Sequence, residues 1–140
     1  TGKGSRERYT LDRIKNLHKV SKPLAPKPPR DYASLSKDLI GVSDSDYTEA
    51  LDVTIETLTP KIHGLLTSKP LHPSQKELES FHEDEVKGYS HGTIRFHVRP
   101  NPEMYGRILY YSDGVKIVSP QKVVKDIHKM LYSAEFFYSD

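Results

Sequence analysis

Residues 93–99, TIRFHVR, set Ile94, Phe96 and Val98 against Thr93, Arg95, His97 and Arg99 in strict alternation. Side chains of a strand point to opposite faces in turn, so this period of two demands a sheet with one packed and one wet face. The next residues extend the constraint. Pro100-Asn101-Pro102 stops the strand, and Asn101 is placed to cap a helix whose first position is Pro102. Met104, Ile108 and Tyr111, flanked by Tyr105 and Leu109, recur at helical spacing. Ser112-Asp113-Gly114 closes that helix, with Gly114 expected at positive φ. Val115, Ile117 and Val118 make a short strand. Ser119-Pro120 then opens a helix with Val123, Val124, Ile127, Met130 and Leu131 on one face.

The same reading applied upstream finds a strand with Leu51, Val53 and Ile55 inward, then a helix from Thr59-Pro60 carrying Ile62, Leu65 and Leu66. Pro73-Ser74-Gln75 is a turn, and residues 76–81 form a weaker strand with Leu78 inside. Residues 83–91, EDEVKGYSH, read as an exposed hairpin excursion. From residue 50 to 131 the order is β-α-β-β-α-β-α. It predicts an α+β fold, a ferredoxin-like βαββαβ sandwich with an extra C-terminal helix. The tail Phe136-Phe137-Tyr138 is apolar for a chain end and is expected to dock, on its own domain or on a second subunit.

Composition bounds the remainder. Hydrophobic residues make up 35% of 140, with 10 prolines, so a core domain of roughly 90 residues is expected behind a looser arm. Residues 20–30, VSKPLAPKPPR, are polyproline-like and read as a spacer, with an SH3-type ligand as the sharper alternative for residues 26–29. Residues 31–40 are expected as a short docked helix burying Tyr32, Leu35, Leu39 and Ile40, with Asp31 as its cap.

Zero cysteines exclude a disulfide framework, a thiolate zinc site and a cysteine nucleophile. No apolar run reaches the ~20 residues of a membrane span, so a soluble cytoplasmic protein is expected. No HExxH, GxSxG, P-loop or GxGxxG pattern occurs, which argues against an enzyme. His82-Glu83-Asp84-Glu85 offers ligand groups for a divalent ion but reads as a solvated hairpin. Neither a metal nor a cofactor is expected.

Basic residues are more suggestive, although the net charge is only +2. Arg8, Tyr9 and Arg13 lie close in sequence, and Arg95 and Arg99 share a strand face with His97. Such a face suits a single-stranded nucleic acid or a nucleotide, and an ordinary solvated face is the plain alternative.

Three stretches together resemble the WYL-domain transcriptional regulators of bacteria. RERYTLDRI at residues 6–14 resembles the closing strand of that family's SH3/Sm-like barrel. SKPLHPSQ at 68–75 resembles the turn after the first helix of the domain beyond the barrel. The stretch 93–123 resembles that domain's second half. The chain holds no Trp, so the Trp-Tyr-Leu triplet that names the family has no counterpart in it.

The resemblance implies three segments: a remnant barrel strand at 1–19, a Pro-rich linker with a short helix at 20–49, and the extension domain at 50–140. It further implies a winged helix-turn-helix upstream that contacts a DNA operator, a sensor for a nucleic-acid or nucleotide-like effector, and a homodimer. Arg13, Arg8 and Tyr9 are the effector contacts carried over, and Arg95 and Arg99 are added from the strand-face pattern. Phe136, Phe137 and Tyr138 are the expected dimer or docking contacts. The function expected is that of a regulatory and dimerisation portion of a ligand-responsive transcription factor. The alternative is a pure oligomerisation module that binds no ligand.

Overall fold

The computed structural model describes residues 11–19, 21 and 32–139. The chain divides into two compact units, Thr1–Arg30 and Asp31–Asp140. In the first, Leu11–Arg13 form a single 3-10 turn rather than the end of a strand. No strand falls among the described residues of this unit, and a short i→i+3 turn satisfies some backbone groups locally. Arg8, Tyr9, Asp31 and most of the Pro-rich stretch lie outside the described residues.

The second unit is mixed α+β. Its strands are β1 (Leu51–Thr57), β2 (Lys76–Asp84), β3 (Tyr89–Val98) and β4 (Val115–Ser119). They form one antiparallel sheet in the order β2-β3-β1-β4. Helices α2 (Pro60–Ser68) and α3 (Pro102–Leu109) join β1 to β2 and β3 to β4. A short α1 (Tyr32–Ser36) precedes the sheet and α4 (Gln121–Tyr138) follows it. No helix among the described residues is long and apolar enough to cross a membrane.

The alternation in β1 and β3 sets the register. Val53 pairs with Phe96 and Ile55 with Ile94. All four are fully buried, together with Val98, Leu66 of α2, Met104 and Ile108 of α3, and Val123 of α4. A slip of one residue would turn this whole set to the wet face, so the pattern fixes the pairing.

Helix starts follow their caps. Thr59 accepts from the Ile62 N–H at 3.3 Å, and Asn101 accepts from the Met104 N–H at 2.9 Å, each followed by proline. The end of α3 differs from expectation. Ser112, at φ 52°, takes the left-handed conformation expected of Gly114. Gly114 instead leaves room for the Ile62 side chain, since a Cβ there would stand 2.1 Å from Ile62 Cδ1 and that chain end would have to turn away.

Three further differences have physical causes. Leu78 is 48% exposed, because the β2–β3 register shifts between Glu77 and Glu79 and again before His82. Each irregularity breaks the alternation on this edge strand. The hairpin ladder also runs through the supposed excursion to the Asp84–Tyr89 pair, closed by Gly88 at φ 74°. Finally, residues 31–49 belong to the same compact unit as the sheet. Leu39 and Ile40 are buried as expected, though they lie beyond α1 rather than in it, and the Arg99 N–H donates to the Asp38 carbonyl at 2.7 Å.

Gly92 tests the packing between α2 and the sheet. A Cβ at this position would meet His63 Nδ1 at 2.3 Å. The His63 ring cannot yield easily, being buried between Thr57 Oγ1 at 2.8 Å and Glu77 Oε1 at 3.0 Å. Gly92→Ala is expected to cost about 2 kcal/mol, as overpacking of a filled site does. Urea denaturation checks this, and an unchanged midpoint would mean that the ring moves freely.

Candidate functional site

The wet face of the sheet is not a strip of uncompensated cations. Asp52 faces His97 across the β1–β3 ladder. It accepts from or pairs with His97 Nδ1 at 2.8 Å, and lies 3.6 Å from Arg95. Arg99 is committed further: its Nε and Nη2 donate to the two oxygens of Asp38 at 2.9 and 3.0 Å, and Nη2 also reaches the Leu35 carbonyl. This fork holds Asp38 below the ordinary carboxylate range, chiefly by its hydrogen bonds. Arg99 thus clamps the segment after α1 to the end of β3. Arg13 lies exposed in its 3-10 turn.

The turn read as HPSQ is likewise engaged in holding structure. His72 Nε2 donates to the Lys37 carbonyl at 2.8 Å, and Ser74 Oγ accepts from the His97 N–H at 2.8 Å. Gln75 donates to the Leu66 carbonyl and accepts from the Leu71 N–H.

Polar groups are instead concentrated at the hairpin end of the sheet. Glu56 of β1 and His91 of β3 point to the outer face, yet they are 4% and 0% exposed. The hairpin covers them. Lys87 donates to Glu56 Oε1 at 2.7 Å and lies 3.1 Å from His91 Nε2, while the Tyr89 hydroxyl donates to Glu56 Oε2 at 2.8 Å. Asp84 Oδ2 is also 3.1 Å from His91 Nε2, and Asp84 Oδ1 accepts from the Val86 and Lys87 N–H groups. Thr93 donates to Glu79 and stands 3.4 Å from His91 Nδ1.

The electrostatics follow from these partners. Burial alone would raise the Glu56 carboxyl, but hydrogen bonds from Lys87 and Tyr89 outweigh it and hold the group below its usual range. The backbone N–H of Lys87 and the ring of His91 bring Asp84 down to about 2. Lys87 is raised in turn by its bond to Glu56. A carboxylate pair here encloses a cation. His82, Asp84 and His91 each place a ligand atom within 4.8 Å of the others.

A second feature lies between α3 and α4. A cleft of about 750 Å³ is lined by Tyr47, Tyr105, Asp126, Met130 and Ser133 among others. Both phenols donate to Asp126 Oδ2, Tyr47 at 2.5 Å and Tyr105 at 3.0 Å. Burial first, and Asp126 second, push both phenols up, so they remain donors.

Beyond this cleft α4 outruns its support. Val123, Val124 and Ile127 pack on the core, but residues 128–139 are all exposed. Phe136, Phe137 and Tyr138 are 72%, 81% and 89% exposed, the two phenylalanine rings meeting edge to face at 5.7 Å.

Sequence reasoning weighed His82 and Asp84 together but passed over Glu56, Lys87, Tyr89 and His91. No local motif joins them, since they meet only through the β1–β3 and β2–β3 registers. The available signal was Gly88 between two alternating runs, which makes residues 84–89 a tight hairpin and sets His82 opposite His91. No family model matches the sequence, and no curated protein matches it.

Proposed function

We propose that this chain is the assembly and relay part of a cytoplasmic, bacterial WYL-type transcription regulator, and that two copies pair through the far half of α4. The observation that carries this reading is the uncovered stripe on that helix. Ile127, Met130, Leu131, Ala134, Phe137 and Tyr138 recur at helical spacing, and they continue past the domain the same face that packs on the core. His128 and Glu135 flank one edge of the stripe near its two ends. Antiparallel pairing of two copies sets His128 of one against Glu135 of the other, which makes the stripe self-complementary.

The strand order and the two helical crossovers support a ferredoxin-like assignment for this domain. In the complete regulator, a helix-turn-helix would hold the operator. A nucleic-acid or nucleotide-like effector would meet Arg13 with Arg8 and Tyr9, because Arg95 and Arg99 are already engaged. That engagement also favours a second reading, an oligomerisation module that binds no ligand.

Light scattering coupled to size exclusion tests the pairing. The natural chain should elute as a dimer of twice 16.0 kDa, and Leu131→Glu with Phe137→Glu should be monomeric with the same circular dichroism. A monomeric natural chain, or a double variant that stays dimeric, would overturn it.

A further inference from the structure

We propose that the hairpin end of the sheet is a transition-metal site in which His82, Asp84 and His91 take a divalent ion such as Zn2+, displacing the Lys87 ammonium. Two neighbouring ligands on a tetrahedral zinc, each about 2.0–2.1 Å from it, stand roughly 3.3 Å apart. His91 Nε2 and Asp84 Oδ2 are already at 3.1 Å. The third ligand atom lies within 4.8 Å, on the exposed and rotatable His82.

The tautomers favour this use. His82 Nδ1 faces the Ser80 carbonyl at 2.9 Å, and since a carbonyl only accepts, this ring nitrogen carries the hydrogen. Its Nε2 is left with a lone pair. His91 Nδ1 lies 3.4 Å from Thr93 Oγ1, whose own hydrogen is given to Glu79, so this oxygen can accept from Nδ1 when Nε2 turns its lone pair to a metal. Metal-binding imidazoles are oriented in this way, by a carbonyl or a carboxylate relay on the second nitrogen.

The position of Lys87 completes the case. His91 Nε2 stands 3.1 Å from both Asp84 Oδ2 and Lys87 Nζ, and one ring nitrogen cannot donate to the carboxylate and accept from the ammonium at once; a cation placed beside both Asp84 and the Nε2 lone pair removes the conflict. The ammonium does so imperfectly, at 3.1 Å from His91 Nε2, 3.9 Å from Asp84 and 2.7 Å from Glu56. It brings one positive charge against the two carboxylates. A divalent ion matches both charges and accepts the imidazole lone pairs directly. Nitrogen ligands select zinc, copper or nickel over magnesium or calcium.

Calorimetric titration of the untagged full chain with Zn2+ tests the site, with Co2+ visible absorption reporting the ligand field. One ion should bind per chain. His82→Ala, which removes only an exposed ring, should weaken binding about tenfold or more. Lys87→Met should tighten it roughly threefold or more, because the competing cation is gone. Absence of saturable binding, or binding indifferent to His82→Ala, would overturn the site. A Lys87→Met variant that binds no more tightly would overturn the displacement.

Discussion

Replacing Asn101 with alanine should lower the stability of the sheet domain by about 4 kcal/mol, and its Tm by about 20 °C. The side chain is 1% exposed and uses both ends. Its Oδ1 caps α3 by accepting from the Met104 N–H, and its Nδ2 donates to the carbonyls of Ile40 and Ser43, each at 2.9 Å. Loss of a cap costs about 1 kcal/mol. The larger share comes from the buried Ile40 carbonyl and the half-buried Ser43 carbonyl losing this donor, up to about 1–3 kcal/mol each. Glu103, in the first turn of the same helix, grips the same segment. Its Oε1 accepts from the Val42 and Ser43 N–H groups at 3.0 Å and from the Ser43 hydroxyl at 2.8 Å. Asn101→Ser separates the contributions, since serine caps well but cannot reach the two carbonyls. It should lose less than alanine, yet more than 1 kcal/mol by urea denaturation. Equal losses in the two variants would mean that the cap alone matters. A loss below about 1 kcal/mol in the alanine variant would sink the account altogether.

Asn101 also marks the boundary of what the sequence discloses. Its cap was legible because Pro-Asn-Pro is a local signal, whereas its bonds to Ile40 and Ser43 span some sixty residues and leave no local trace. The same division holds elsewhere. Inward residues of β1 and β3 followed from alternation alone, and so did the starts of α2 and α3. Leu78 did not, because two register shifts cancel the alternation on an edge strand. Arg95 lies in the expected strand and Arg99 one residue past its end at Val98, but alternation names a face without naming which groups pair with it. The partners are Asp52, which faces His97 on the neighbouring strand and reaches Arg95 diagonally, and Asp38, in a segment read as linker. The hairpin cluster was hidden for the same reason, since His82 and His91 become neighbours only once the ladder is known.

These long-range pairs make a domain fastened by carboxylates, and that gives the second large expectation. Below pH 5 the domain should lose stability steeply, and unfold between about pH 4 and 2. Asp38, Glu56, Glu77, Asp84 and Glu103 are all held below their ordinary values. The cause differs in each: the Arg99 fork for Asp38, a hydrogen bond from Ser80 for Glu77, backbone N–H donors for Asp84 and Glu103, and Lys87 with Tyr89 against burial for Glu56. In the unfolded chain these groups take up protons near pH 4. In the folded chain they resist until lower pH, about 2 for Asp84. Between the two limits the unfolded state binds more protons, so each step down in pH favours it. The stability these groups supply is therefore complete above their unfolded values and disappears as pH falls through the folded ones. Urea denaturation at pH 5, 4, 3 and 2.5 measures the slope, which counts the protons taken up on unfolding. Glu56→Gln should be less stable than the natural chain at pH 5 and should show a shallower slope, having one responsive group fewer. A natural chain equally stable at pH 5 and pH 2.5 would show that these carboxylates are not what fastens the fold.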